Sequence, residues 1–201
     1  MAEFLHAPDG RTPRAIVFDL DGTLADTMPA HFLAWTDVVN EAGLLFPEER
    51  FYAMGGVPTR TIFDTLIAEA GDGVSRDAAA LSAKKEEAFR SHIPACKPAP
   101  KVLAVLRSAQ AAGVPCAVAT GGNRGTATAT LAAIGLADDF PATVVVTADD
   151  TAEHKPHPAP FLLAAERLGV APGGCDAYED TDLGLESIAA AGMRGIDVRT
   201  L

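Results

Sequence analysis

Two aspartates separated by one residue, Asp19 and Asp21, close the apolar run Ala15-Ile16-Val17-Phe18 and are followed at once by Gly22 and Thr23. The run reads as the end of a strand buried on both faces. The acids therefore fall where that strand meets its loop, and Gly22 allows the backbone a sharp turn there. Carboxylates beside a core strand are costly unless a cation or hydrogen bonds compensate them. A pair so placed points to chemistry rather than to packing.

Three later segments carry groups of the same kind. Ala117-Val118-Ala119-Thr120-Gly121-Gly122 is a strand that ends in a hydroxyl and two glycines. His154-Lys155-Pro156 sets a lone lysine at the start of a helical stretch, and Ala177-Tyr178-Glu179-Asp180-Thr181-Asp182 is a strand running into acids. In this order the four segments resemble the motifs of the haloacid dehalogenase (HAD) superfamily of phosphotransferases, and the resemblance extends over nearly the whole chain. Asp26-Thr27-Met28-Pro29-Ala30-His31 with Trp35, and Gly55-Gly56-Val57-Pro58-Thr59, resemble its β-phosphoglucomutase-like branch. Within that branch the likeness is greatest to the small bacterial fructose-1-phosphate and 6-phosphogluconate phosphatases, which the tail Ala191–Arg199 also fits.

The resemblance implies a division of labour. Phosphate esters hydrolyse very slowly unaided, so a placed nucleophile and charge neutralisation are required. Asp19 is the expected nucleophile, forming an aspartyl-phosphate. Asp21 is expected to protonate the leaving oxygen and then to activate water. Asp19, Glu179 and Asp180, with the backbone carbonyl of Asp21, make an all-oxygen set for a divalent metal, and Mg²⁺ suits such donors best. Asp182, just beyond, is expected to cap a helix or to support the metal ligands. Thr120, with the N–H groups of Gly121 and Gly122 and a helix start behind them, is expected to hold phosphoryl oxygens. Thr23 and Asn123 join the substrate-binding set, and Lys155 is expected to neutralise Asp19 and a phosphoryl oxygen. His31, Trp35, Thr59, Arg60 and Lys85 are the candidates to face the leaving group. Trp35 competes with a plain core role, and Lys84-Lys85 with a solvated helix face. His154 and His157 have zinc-like spacing but no partners to complete a tetrahedral site, so zinc is rejected.

The leading expectation is a Mg²⁺-dependent phosphatase of small sugar phosphates. The alternative is a phosphosugar mutase of the β-phosphoglucomutase kind, and a non-catalytic phosphometabolite-binding domain is a third reading. In the mutases an arginine follows the Gly-Val-Ser segment, whereas here Thr59 intervenes and Arg60 arrives one place late. One residue turns a helical side chain by about 100°. The Gly-Gly-Asn after Thr120 likewise lacks the mutases' polar residues. Both departures favour the phosphatase.

These groups need elements to position them. Strand-like runs recur near 14–19, 114–119, 142–147, 175–179 and 195–198, separated in the later half by helical stretches near 101–112, 124–135, 158–169 and 183–191. Alternation of this kind predicts a doubly wound, Rossmann-like parallel α/β sheet with right-handed crossovers. Function then gathers at the carboxyl ends of the strands, where Asp19, Asp21, Thr120, Glu179 and Asp180 all fall. Residues 27–93 break the alternation with helical patterns near 29–42, 46–54, 58–70 and 77–92. They read as a small all-helical cap inserted into a core made of 1–26 and 94–201, with a proline-stiffened return through 93–100. The cap is expected to close over substrate, hinging near 24–28 and 94–100.

A chain of 201 residues with 48% hydrophobic and 21% charged residues is ordinary for a globular protein. Net charge is −11, from 16 Lys and Arg against 27 Asp and Glu, which argues against nucleic acid and anionic membranes as partners. A small phosphorylated metabolite stays compatible, because a bound cation and a few local lysines set the field of a pocket. Cys96, Cys116 and Cys175 suggest free thiols rather than a disulfide framework. No signal peptide is evident and no apolar run is long enough to span a bilayer. A cytoplasmic monomer is the expectation.

Overall fold

The computed structural model describes residues 12–55 and 57–201. The reading of the amino terminus, and Gly56 within the Gly55–Thr59 likeness, lie outside the described residues. The chain separates into two compact units, one of residues 1–26 and 97–201 and one of Thr27–Cys96.

The first unit is built on a five-stranded sheet. Its strands are β1 (Ala15–Phe18), β4 (Cys116–Ala119), β5 (Val145–Val146), β6 (Cys175–Glu179) and β7 (Arg194–Asp197), in the spatial order β5-β4-β1-β6-β7. Every neighbouring pair is parallel, and Val17 stands opposite Ala117 on one side and Ala177 on the other. β1 is central and wholly buried, as its apolar run requires. From β1 the chain moves outward to β4 and β5 and then returns to β6 on the far side. The carboxyl end of β1 is therefore a topological switch point, where functional groups collect.

Helices α5 (Pro100–Ala111), α6 (Arg124–Ala133), α7 (Ala159–Leu168) and α8 (Asp182–Ala190) make the crossovers. Ala117, Ala119 and Ala177 share a buried cluster with Phe161, Ala164 and Ala165 of α7, so small strand residues admit a helix at close range. Phe161 is fully buried, a burial that contributes about 1.5–3 kcal/mol. On β1, Phe18 stacks on Tyr178 with ring centroids 5.3 Å apart.

The edge differs from its expected extent. Residues 142–144, read as strand, form a 3₁₀ turn after Pro141, and only Val145–Val146 pair with β4. The outward carbonyl of Val145 accepts hydrogen bonds from Arg124 at 3.2 Å and Arg167 at 2.7 Å, where a further strand would otherwise add. Both arginines also pair with Asp150, whose carboxylate accepts from the Thr147 hydroxyl as well. Burial works against the charge of Asp150, yet those donors hold its pKa well below the usual carboxylate range.

The second unit is helical: α1 (Met28–Ala42), α2 (Glu48–Ala53), α3 (Thr59–Ala70) and α4 (Ala78–His92). Its core gathers Trp35, Val38 and Val39 of α1 and Phe63 and Leu66 of α3 at helical spacing, with Phe46 from the connection after α1. The unit ends at Cys96, beyond the sequence-based limit of 93, because Ile93–Ala95 continue α4 as a 3₁₀ turn. Residues expected as hinge and return linker are also paired. β2 (Ala25–Asp26) and β3 (Lys97–Pro98) form an antiparallel ribbon, with Ala25 opposite Pro98 and Asp26 opposite Lys97. The three cysteines form no disulfide among the described residues, and burial pushes Cys116 up to about 12. No described helix is long and apolar enough to cross a membrane.

Candidate active site

The site begins where β1 ends. Asp19 still belongs to the ladder, its N–H donating to Tyr178 O at 3.0 Å, so its carboxylate is fixed by the sheet. The loop beyond it folds on itself through Gly22 N–H to Ala25 O at 2.8 Å and Ala25 N–H to Leu20 O at 2.9 Å. Gly22 takes φ +85°, and a Cβ there would lie 2.2 Å from Asp180 Oδ2. Only glycine satisfies both the turn and the close approach. Thr23, fully buried, donates its hydroxyl to Asp180 Oδ1 at 2.9 Å. It was expected on the substrate side. Its hydroxyl is instead spent on positioning Asp180.

Glu179 ends β6 and is 1% exposed. Its Oε1 accepts from Thr181 twice, from the hydroxyl at 2.7 Å and from the N–H at 3.1 Å. Its Oε2 accepts from Lys155 Nζ at 2.7 Å. A Cβ on Gly184 would lie 2.0 Å from Glu179 Cδ, so the first turn of α8 is shaped to let this carboxylate pass. Thr181 caps α8, its side chain accepting from Gly184 N–H at 3.1 Å. Asp182, expected to cap or to support the metal ligands, does neither: it is exposed and pairs with Arg199 at 2.7 Å. Thr181 and Gly184 went unmarked in the sequence, although a threonine directly before a helical run is a recognised start signal.

Lys155 lies in the turn ahead of α7, four residues before the helix opens rather than at its start. Nζ is 2.6 Å from Asp19 Oδ1 and 4.9 Å from the centre of the Phe161 ring. The ammonium thus bridges Asp19 and Glu179 over an aromatic floor. Burial opposes its charge, but the two carboxylates outweigh that and hold its pKa above the ordinary lysine value. Asp19 moves the other way from a normal aspartate. Burial, then the charge of Glu179, push its carboxyl well above the usual range despite Lys155. Burial and Glu179 raise Asp180 to about 6.

Oxygens of Asp19, Glu179 and Asp180 lie within 4.8 Å of one another. A three-carboxylate, all-oxygen cluster matches the donor chemistry of a hard divalent cation, Mg²⁺. Glu179 Oε1 already accepts two hydrogen bonds, whereas Oε2 accepts from Lys155 and has a second lone pair to offer.

Thr120 follows β4, buried, with its hydroxyl 3.5 Å from Asp21 Oδ2. Gly122 N–H donates to Thr120 Oγ1 at 3.0 Å, which turns inward a donor expected to face phosphate. Asn123 caps α6 through its side-chain oxygen, which accepts from Thr126 N–H at 2.9 Å. From this loop Thr120 Oγ1, the Gly121 N–H and the Asn123 Nδ2 group offer donors.

In the helical unit, Lys85 is buried rather than solvated, in contrast to Lys84, which is exposed and pairs with Glu41. Lys85 Nζ lies 2.9 Å from His31 Nδ1 and 3.0 Å from Glu86 Oε1. A lysine ammonium only donates, so Nδ1 accepts and the imidazole proton sits on Nε2. The His31 ring stacks on Phe89 at 3.7 Å. Thr59 reaches Glu86 Oε1 at 3.5 Å. Trp35 is a core residue, packed between Phe46 and Phe63, with Lys85 Nζ 5.9 Å from its ring. Arg60 is exposed on the first turn of α3 and stands outside this group.

Residues 13–192 match the family model described as haloacid dehalogenase-like hydrolase. The fructose-1-phosphate phosphatase YqaB of Escherichia coli is 40% identical over 187 residues, spanning 92% of this chain and 96% of its own. The β-phosphoglucomutase of Bacillus subtilis is 27% identical over 191 residues, spanning 92% and 83%. Among solved structures, a HAD hydrolase of Entamoeba histolytica superposes with a TM-score of 0.80 at 24% identity over 92% of this chain and 83% of that one, a likeness of fold.

Proposed function

The chain belongs to the haloacid dehalogenase-like hydrolases, and from that membership we propose that it is a Mg²⁺-dependent cytoplasmic phosphatase of small sugar phosphates, working as a monomer through a phosphorylated Asp19. The observation that carries this reading is the bridge made by Lys155 between Asp19 and Glu179, 2.6 and 2.7 Å away, at the carboxyl end of the central strand. An ammonium held there fixes one oxygen of Asp19 and leaves the other for attack. The substrate class follows the relatives, of which the E. coli enzyme bears the name fructose-1-phosphate phosphatase.

In the first step the Asp19 carboxylate attacks phosphorus, and the bond from phosphorus to the sugar oxygen breaks. Asp21 gives its proton to that departing oxygen. In the second step Asp21, now a carboxylate, takes a proton from water as the water oxygen attacks phosphorus. The bond to Asp19 breaks and inorganic phosphate leaves, with Asp21 protonated again. Thr120 and the Gly121 N–H donate to the phosphoryl oxygens, and Lys155 offsets their charge. Asp19, Glu179 and Asp180, with the Asp21 carbonyl, would hold Mg²⁺, which when bound supplies charge and orientation to the phosphoryl group.

The helical unit, as a cap, is proposed to select the sugar. A buried ammonium beside a neutral imidazole, Lys85 with His31, offers both charge and an Nε2–H donor for hydroxyl groups. A screen of phosphate release from fructose 1-phosphate, 6-phosphogluconate and other esters with Mg²⁺ tests the proposal. Release of phosphate from at least one sugar phosphate supports it. Faster interconversion of β-glucose 1-phosphate and glucose 6-phosphate than release of phosphate makes the protein a mutase instead.

A further inference from the structure

Lys155 is far in sequence from the elements that steady it, and two indirect supports come from α8 and its cap. At the side-chain level, Thr181 places two donors on Glu179 Oε1, which leaves Glu179 Oε2 facing Lys155. At the backbone level, the fully buried Ser187 donates its hydroxyl to the carbonyl of His157 at 2.7 Å. His157 N–H in turn donates to the carbonyl of His154 at 2.8 Å, closing the turn that contains Lys155. Thr181, Gly184 and Ser187 stand three residues apart, so they share one helical face. Gly184 lets Glu179 approach that face, and the two hydroxyls fasten what approaches.

We propose that Thr181 and Ser187 are positioning residues that set Lys155 from α8, one through the Glu179 carboxylate and the other through the turn that bears the lysine. The helix start and the lysine then move as one piece, and the 2.6 Å contact with Asp19 is a consequence of α8 rather than of the lysine loop alone. The inference rests on the phosphatase reading for its catalytic meaning and on geometry alone for the position of Lys155.

The test compares wild type with Thr181→Val, Ser187→Ala and Thr181→Ser in two measurements. The first is acetylation by an N-hydroxysuccinimide ester, mapped lysine by lysine, with exposed Lys84 and buried Lys85 as internal references. In Thr181→Val and Ser187→Ala, labelling of Lys155 is expected to rise by about fivefold, since local opening governs access, while Lys84 and Lys85 hold steady. The second is phosphate release from fructose 1-phosphate with Mg²⁺, in which kcat falls by about tenfold with little change in KM. Thr181→Ser, which retains the hydroxyl, restores the protection lost in Thr181→Val. Unchanged labelling of Lys155 in both variants overturns the assignment, whatever happens to kcat. A parallel rise at Lys85 signals general loosening and overturns it as well. Wild type that releases no phosphate, with the labelling pattern as expected, refutes the phosphatase reading and leaves the positioning role standing.

Discussion

Thr23 and Asp180 lie 157 residues apart in the chain and share a 2.9 Å hydrogen bond. The loop after β1 is thereby bolted to the acid pair at the end of β6, across the switch point of the sheet. Gly22 completes the joint by letting the Asp180 carboxylate come where a side chain would stand.

Gly22→Ala breaks this joint twice. It forces a positive φ on a residue with a Cβ and drives that Cβ onto Asp180 Oδ2. Backbone strain of this kind costs about 1–3 kcal/mol, and the displaced Asp180 loses its place beside Asp19 and Glu179. Urea unfolding is expected to report the loss of stability, and Mg²⁺ titration followed by thermal shift a weakened response. A variant with wild-type values in both would show that the carboxylate yields without cost.

Asp19→Asn removes the nucleophile and keeps its shape. Phosphate release is expected to disappear, because an amide does not form the phosphorylated intermediate. The circular dichroism spectrum should be that of wild type, since the Asp19 N–H to Tyr178 O bond belongs to the backbone. Retained turnover in this variant would remove the mechanism.

Lys155→Met leaves Asp19 and Glu179 buried without their cation. Stranding a buried charge in this way costs roughly 3–5 kcal/mol, read by urea unfolding in the absence of metal. Adding Glu179→Gln to Lys155→Met should recover part of the loss, so the two effects are non-additive. Strict additivity in the double-mutant cycle would mean that the 2.7 Å contact contributes nothing.

The acids also give the metal-free protein a pH dependence. Asp180 titrates at about 6 in the folded chain, against about 3.9 for a free aspartate, and Asp19 is raised as well. The folded state therefore binds protons more tightly than the unfolded one. The stabilisation from this is fully present below the unfolded value and is lost as pH rises through 6. In EDTA, melting temperature is expected to fall between pH 4.5 and 7 on account of these groups. Added Mg²⁺ should raise it more at pH 7 than at pH 5, as the ion takes the place of the protons. An Mg²⁺ shift that is flat in pH would separate the ion from these carboxylates.

The strands that bear Asp19, Thr120 and Glu179 were legible because each is an apolar run ending abruptly in polar groups, a pattern that fixes both the element and its functional end. The helical unit was legible from spacing, as with Phe32, Trp35 and Val39 in α1. The β2–β3 ribbon was not, since two-residue strands carry no periodicity and their pairing joins residues 25–26 to 97–98. Nor was the burial of Lys85, whose sequence neighbours Lys84, Glu86 and Glu87 read as a solvated face. Thr23 and Asn123 sat in the right loops, and only coordinates reveal that their side chains are turned to Asp180 and to Thr126. Gly184 shows its purpose only once Glu179 is seen pressed against it.

The outermost strand has a consequence for life in a crowded solution. Val145 offers its outward carbonyl to two guanidinium groups, and the pairing ends one residue later. A foreign peptide arriving in extended form finds the first acceptor already engaged and too little backbone beyond it to continue a ladder. On that flank, the molecule is built to stay apart from others of its kind.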